Sequence, residues 1–198
     1  MTQAVPRVSQ LMTMETYLAY DDGTDTRYEL ENGVLVEMPT ESTINALIAR
    51  FLLFELAKYF PIQLIASKDT EIEVSGSRAT CRLPDLLVHS EESYAAVRDS
   101  RQSILRHGMP APSLVVEVVS PGKTNRDRDY RYKRTEYAAR GVSEYWIIDP
   151  DEQRITVCLW VDGQYEDSVY KDDLPLKSSI IPDFTLSTAQ ILAFGQVQ

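Results

Sequence analysis

Glycine, cysteine, histidine and long apolar runs are all sparse in this chain, and each shortage closes off a class of protein. Eight glycines and ten prolines, scattered over 198 residues, exclude collagen-like and low-complexity architecture. No apolar run approaches the roughly 18 residues of a membrane span. The opening segment, MTQAVPRVSQLM, lacks the apolar stretch of a secretory signal. Two cysteines, Cys81 and Cys158, cannot make a disulfide framework or a cysteine-based zinc site, and read as half-buried thiols of a reducing compartment. The two histidines, His89 and His107, stand too far apart for a local zinc pair. There is no G-x-G-x-x-G, no G-x-x-x-x-G-K-[ST] and no G-x-S-x-G, so nucleotide cradles and nucleophile elbows have no support. A cytoplasmic protein with no membrane contact, folded as one domain over 1–198, is the expectation.

What is present is acid. Thirty Asp and Glu stand against twenty Lys and Arg, a formal net charge of −10, which argues against non-specific coating of nucleic acid, because phosphate neutralisation needs Lys and Arg. The charge is uneven. Residues 123–140, KTNRDRDYRYKRTEYAAR, hold seven basic and three acidic side chains. Such a segment suits a focused polyanion contact, and equally a solvated helix face paired to acidic neighbours.

Hydrophobic spacing supplies the elements. RYELENGVLVEM (27–38) alternates around Asn32-Gly33, the dipeptide of a two-residue hairpin turn in which both central positions need positive φ. Ile44, Leu47, Ile48, Phe51, Leu52, Leu56 and Tyr59 recur at helical spacing until Pro61, predicting a helix over about 41–60. Strands are expected at 62–74, 82–89, 114–120, 144–149, 154–161 and 164–170, with a helical turn or two within 90–112. A second helix is expected over 124–140, closed by Gly141, and a short helical end near 187–194. The order predicts an α/β (α+β) fold with a mixed central sheet flanked by helices.

Two carboxylates interrupt apolar strands: Glu117 in LVVEVV, and Asp85 directly after Pro84 in RLPDLLV. Strand side chains alternate in direction, so Glu117 shares a face with Val115 and Val119, and Asp85 with Leu87 and His89. An uncompensated carboxylate there costs several kcal/mol, so each must be paired, protonated or bound to a cation. Either carboxylate fits a structural ion pair; together they also fit a Mg²⁺ site, which takes one or two carboxylates plus waters. Asp129, Lys133, Tyr137 and Gly141, spaced by four, form a stripe on the following helix. That helix can pack back over the sheet and bring Lys133 to the carboxylates, or leave it in a surface pair with Asp129.

The blocks YELENGVLVEMP, LPD (83–85), LVVEVVSP (114–121) and KRTEYAARGVSEYWIIDP (133–150) together resemble the Uma-type family of restriction endonucleases, within the PD-(D/E)XK nuclease superfamily. The similarity runs from about residue 13 to 192. It implies a restriction-endonuclease-like core (helix, three-stranded meander, helix, strand) within about 27–170, with an N-terminal hairpin and extra C-terminal strands. It also implies that Asp85 and Glu117 bind a divalent metal, Mg²⁺ or Mn²⁺. Val119 stands where the superfamily's lysine is usual; in Uma-type relatives the lysine lies on the following helix, which here is Lys133. Glu41, with Asn45 one turn on, is the candidate acid from the first helix, and equally a carboxylate favoured by the helix dipole. Glu29 and Glu37 belong to the family's block without a physical role.

The implied function is a Mg²⁺-dependent endonuclease hydrolysing DNA, with a metal-activated water as nucleophile and Lys133 steadying negative charge. The alternative is a catalytically inactive module of the same fold that binds nucleic acid or a protein partner. A homodimer built through 154–161 and 164–170 is a further expectation. Base reading would fall to 90–112, with Arg98, Arg101 and Arg106.

Overall fold

A computed structural model describes residues 11–195, Pro39 and Ala79 excepted. Most of the segment MTQAVPRVSQLM and the tail after Gly195 lie outside the described residues. The chain opens with α1 (Met14–Leu18), then a hairpin of β1 (Tyr28–Glu31) and β2 (Val34–Glu37). Its turn residues Asn32 and Gly33 have φ of 49° and 81°, as the two-residue turn requires. Next come α2 (Thr43–Leu56), β3 (Ile65–Ala66), β4 (Glu71–Val74), β5 (Thr80–Arg82), β6 (Leu86–Val88), α3 (Glu91–Val97), β7 (Ile104–Leu105) and β8 (Leu114–Val118). A helix follows in three parts, α4 (Lys123–Asp127), a π-helical segment Arg128–Lys133, and α5 (Arg134–Arg140). The chain then makes β9 (Glu144–Asp149), β10 (Arg154–Val161), β11 (Gln164–Lys171) and α6 (Thr188–Ala193).

The single central sheet expected from the sequence is two mixed sheets. The first runs β2-β1-β5-β4-β7 and the second β11-β10-β9-β8-β6-β3. The second holds the expected core order: α2, the antiparallel neighbours β3, β6 and β8, the long helix, and β9 parallel to β8. The hairpin and β4–β5 form the first sheet, and the chain crosses between sheets at 67–70 and again at 83–85.

Those crossings explain two corrections. The strand expected over 62–74 is a 3-10 turn (Ile62–Leu64), β3, a reversal and β4. In the reversal Asp69 Oδ1 accepts from the Ser67 amide at 2.9 Å, and Lys68 takes φ of 55°. The run 82–89 is broken at Leu83-Pro84-Asp85, where proline has no amide to offer a ladder. The first long helix is also shorter than 41–60: Ser42 caps it by accepting from the Asn45 amide at 3.1 Å, which leaves Glu41 outside the helix. The second carries π geometry at Arg128–Lys133, a distortion that periodicity does not reveal. Gly141 ends it at φ of 81°, with the Val142 amide reaching back to the Tyr137 carbonyl.

Alternation along β8 divides the core. Leu114, Val116 and Val118 pack towards α2 and α6 with Leu52, Leu56, Leu86, Val88, Trp146 and Ile148. Val115 and Val119 point the other way, to Tyr137, Ala138, Tyr145 and Ile147, and to Ile72 and Val74 of the first sheet. Glu117 takes the second direction, so it lies beneath the helix that carries Lys133 and Tyr137. Both cysteines are buried and free, more deeply than half-buried thiols.

Candidate active site

The four side chains singled out in the sequence (Glu41, Asp85, Glu117 and Lys133) line one cavity of about 70 Å³ at the seam of the two sheets. Each arrives by a different route. Asp85 ends the β5–β6 crossing, and Glu117 comes from the inner face of β8. Lys133 closes the π-helical segment, and Glu41 sits just before the cap of α2.

Asp85 and Glu117 are each pinned through one oxygen, although Asp85 lies on the crossing before β6 and not on the strand face expected with Leu87 and His89. Asp85 Oδ2 accepts from the Val118 amide at 2.6 Å, which ties the crossing to β8. Glu117 Oε1 accepts from the Tyr137 hydroxyl at 2.8 Å and lies 2.8 Å from Lys133 Nζ. Both of these contacts fall on Oε1 rather than on Oε2. Burial is the main force on Glu117. It pushes the carboxyl up to about 8; Lys133 opposes that shift, and the negative charge of Asp85, Asp129 and Glu29 adds to it.

Lys133 is 3 % exposed and meets three carboxylates: Glu117, Asp129 at 3.7 Å and Glu29 at 3.8 Å. Burial alone would lower its pKa, but Glu117, Glu29 and Asp129 outweigh burial and hold the ammonium above its ordinary value. The stripe of Asp129, Lys133 and Tyr137 therefore faces inward. Lys133 belongs to the buried cluster, and Asp129 pairs with both it and Arg128, whose Nε lies 3.3 Å away.

Three participants take no role from the sequence: Glu29 is only part of the family's block, and nothing singles out Arg82 or Lys68. Glu29 accepts from the Leu83 amide at 3.0 Å and from Arg82 at 3.1 Å, so it braces the crossing that presents Asp85. Its sequence context, YELE in a hairpin, looks like an alternating solvent face. Arg82 is buried among Glu29, Glu31 and Glu136. Lys68, in an ordinary polar SKDT turn, extends into the cavity and joins Glu41 Oε2 at 2.5 Å to Asp85 Oδ1 at 3.0 Å. Asn45 does not accompany Glu41; it donates to the Val118 carbonyl and to Ser120.

The basic segment is largely neutralised. Lys123 pairs with Asp127, Arg126 with Asp149 and Glu152, and Arg134 with Asp167. None of Arg98, Arg101 and Arg106 lines the cavity; Arg106 is bound by Glu73 and Glu15, and Arg98 by Asp99. Among the described residues no helix is long and apolar enough to cross a membrane, and no group of three or more His, Cys, Asp or Glu is arranged to hold a metal ion.

Comparison with known proteins bears on this arrangement. A family model, Uma2, described as "putative restriction endonuclease", matches residues 14–189. Among solved structures, a "putative nuclease belonging to DUF820" from Anabaena variabilis superposes with a TM-score of 0.70 at 17 % identity, over 93 % of this chain and 99 % of that one. That likeness speaks for the fold. No curated protein matches the chain.

Proposed function

The chain belongs to the Uma2 family, and from that premise we propose a divalent-metal-dependent endonuclease that hydrolyses DNA phosphodiester bonds in the seam cavity. Asp85 and Glu117 are its metal ligands, Lys133 its charge-stabilising amine and Glu41 an accessory acid. The observation carrying this reading is the meeting of all four side chains in one cavity although they come from four separate elements.

The donor set fits a hard cation. Two carboxylates flank the cavity, each fixed by one oxygen to the chain's own donors, and Asp85 Oδ1 is held by Lys68. Mg²⁺ and Mn²⁺ accept such sets, completing their shells with water and phosphate oxygen. When bound, the ion supplies Lewis acidity and neutralises charge on the phosphodiester. The chain does the rest. Tyr137 and the Val118 amide hold the two carboxylates in register. Glu29 and Asp129 keep the Lys133 ammonium charged and fixed, so that it steadies negative charge developing on a phosphoryl oxygen without reorganising. A cytoplasmic location and a homodimer that sets two cavities on two DNA strands belong to the same proposal. Sedimentation showing only a 22.5 kDa species removes the dimer.

The test is cleavage of supercoiled plasmid with Mg²⁺ or Mn²⁺. Wild type is expected to cut, and Asp85→Ala and Lys133→Ala to lose about 10²-fold or more, with circular dichroism checking that each variant folds. Equal cleavage by all three overturns the assignment.

One observation favours a second reading, a non-catalytic module of the same fold: among the described residues no three carboxylates are arranged around a common ion position, and Lys68 already neutralises Asp85 and Glu41. Absence of Mn²⁺ uptake by wild type in calorimetry selects that reading.

A further inference from the structure

Two amines enter the cavity, and they are held differently. Lys133 leaves a helix, is sealed and touches three carboxylates. Lys68 leaves a tight reversal, its side chain is 21 % exposed, and it reaches inward to bridge Glu41 Oε2 and Asp85 Oδ1. Oδ1 is the one oxygen of Asp85 that the Val118 amide does not take. An ammonium at 3.0 Å therefore stands on the coordination position a metal would use.

We propose that Lys68 is a tethered counter-ion that fills the Asp85–Glu41 end of the cavity in the metal-free protein, and that a divalent ion enters by displacing it. The inference rests on the reading above that Asp85 is a metal ligand. An oxygen cannot coordinate a dication at about 2.1 Å and keep an ammonium in contact, because the two cations repel at that separation. A dication outcompetes the amine by charge, and the exchange needs no proton to move.

Lys68 is built to leave. Its backbone is anchored where it stands: Arg27 Nη1 donates to the Lys68 carbonyl at 3.3 Å, and the Ser67–Asp69 turn sets its φ of 55°. Only the four-carbon stem must swing. It lines the central cavity and also two larger hollows beside it, of about 530 and 390 Å³. Asp69 borders one hollow, and Asp25 and Glu37 the other, so a displaced ammonium finds carboxylates there. Lys133 has no such route, since Glu117, Asp129 and Glu29 close around it. The fold thus assigns the two lysines different duties, one fixed at the site and one removable.

The experiment is calorimetric titration of the full chain with Mn²⁺, comparing wild type, Lys68→Met, Lys68→Gln, Lys68→Arg and Asp85→Asn. Removing the competitor is expected to tighten Mn²⁺ binding about tenfold in Lys68→Met and in Lys68→Gln, the scale of one partly solvated ion pair, while Lys68→Arg stays near wild type. Without metal, Lys68→Met should melt about 2–4 °C lower and recover more on adding Mn²⁺ than wild type does. Unchanged or weaker Mn²⁺ binding by both neutral variants, with binding abolished in Asp85→Asn, overturns the role of Lys68 and leaves the metal site standing. No Mn²⁺ uptake by any variant, Lys68→Met included, overturns both.

Discussion

The two sheets of this protein are held together by different physics. In the second sheet every residue of β8 and of β9 is buried, and those strands are mostly Val, Ile, Leu and aromatic, sandwiched between α2 on one face and the long helix on the other. Both sheets bury charge, Glu117, Glu144 and Asp149 in the second and Glu29, Glu73 and Arg82 in the first, but the first has far less hydrocarbon around it. Its own apolar cluster is small, Met14, Leu30, Cys81 and Ile104. Buried area stabilises one sheet at about 25 cal/mol per Å² wherever it packs, whereas a buried ion network holds the other only while every partner is present. The cavity lies where the two meet: Glu117 comes from the second sheet, Asp85 and Lys68 from the crossings between the sheets, and Lys133 from the long helix, while Glu29 of the first sheet reaches Lys133.

That contrast can be broken by experiment. The largest effect should come from Arg82→Met. It strands Glu29, Glu31 and Glu136 around a neutral side chain, at a cost of about 3–5 kcal/mol measured by urea unfolding. The Arg82 guanidinium is held above its ordinary pKa: burial pulls it down, but Glu136, Glu29 and Glu31 overcome that. Against the pull of burial, Lys133 and Arg82, with the Leu83 amide, hold Glu29 below the usual carboxylate value. Glu29 therefore contributes stability that is present above its unfolded pKa and lost as pH falls through the lower folded one. The Arg82→Met variant should lose less on acidification than wild type. A cost under about 1 kcal/mol would show that the network is not what holds the first sheet.

Leu114→Ala tests the other side. It opens a cavity at the start of β8, and the expected cost is about 2–4 kcal/mol, the same in wild-type and Arg82→Met backgrounds to within about 0.5 kcal/mol. Strong coupling between the two substitutions would mean that the sheets do not divide the labour.

The smallest effect concerns His89, the polar residue just past β6. Burial lowers its imidazole below the usual value, with Asp69 opposing weakly, and Nδ1 lies 3.0 Å from Ser93 Oγ. The unfolded chain protonates this group first as pH drops below about 6.5. Stability is then lost on acidification, by less than about 1 kcal/mol between pH 7 and pH 5. Urea midpoints at those two pH values should fall less in His89→Gln than in wild type, and an equal fall in both would remove His89 from the account.

Much of this architecture was legible beforehand. The Asn32-Gly33 turn, the β-branched density of β8 and the Gly141 cap each act within a few residues, and local rules predict them. The site was legible in part. Asp85 and Glu117 stood out because a charge in an apolar strand demands a partner, and the spacing of Asp129, Lys133 and Tyr137 pointed to the helix that supplies it. Glu29, Arg82 and Lys68 were not legible, because each looks like an ordinary polar residue of a hairpin, a strand edge or a turn. Their burial comes from the sheet crossings at 67–70 and 83–85, which join residues up to 54 positions apart in sequence, as with Glu29 and the Leu83 amide.

From sequence alone came the hairpin, the two long helices and the strands from 114 onward, and which acids could not stand unpaired among hydrocarbon, because both follow from short-range periodicity and from the cost of burying charge. Only the tertiary structure decided which cation answers which carboxylate. Lys133 closes on Glu117 and Lys68 on Asp85 and Glu41 because two sheets, not one, pack around the same helix, and Coulomb contact depends on distance in space rather than along the chain.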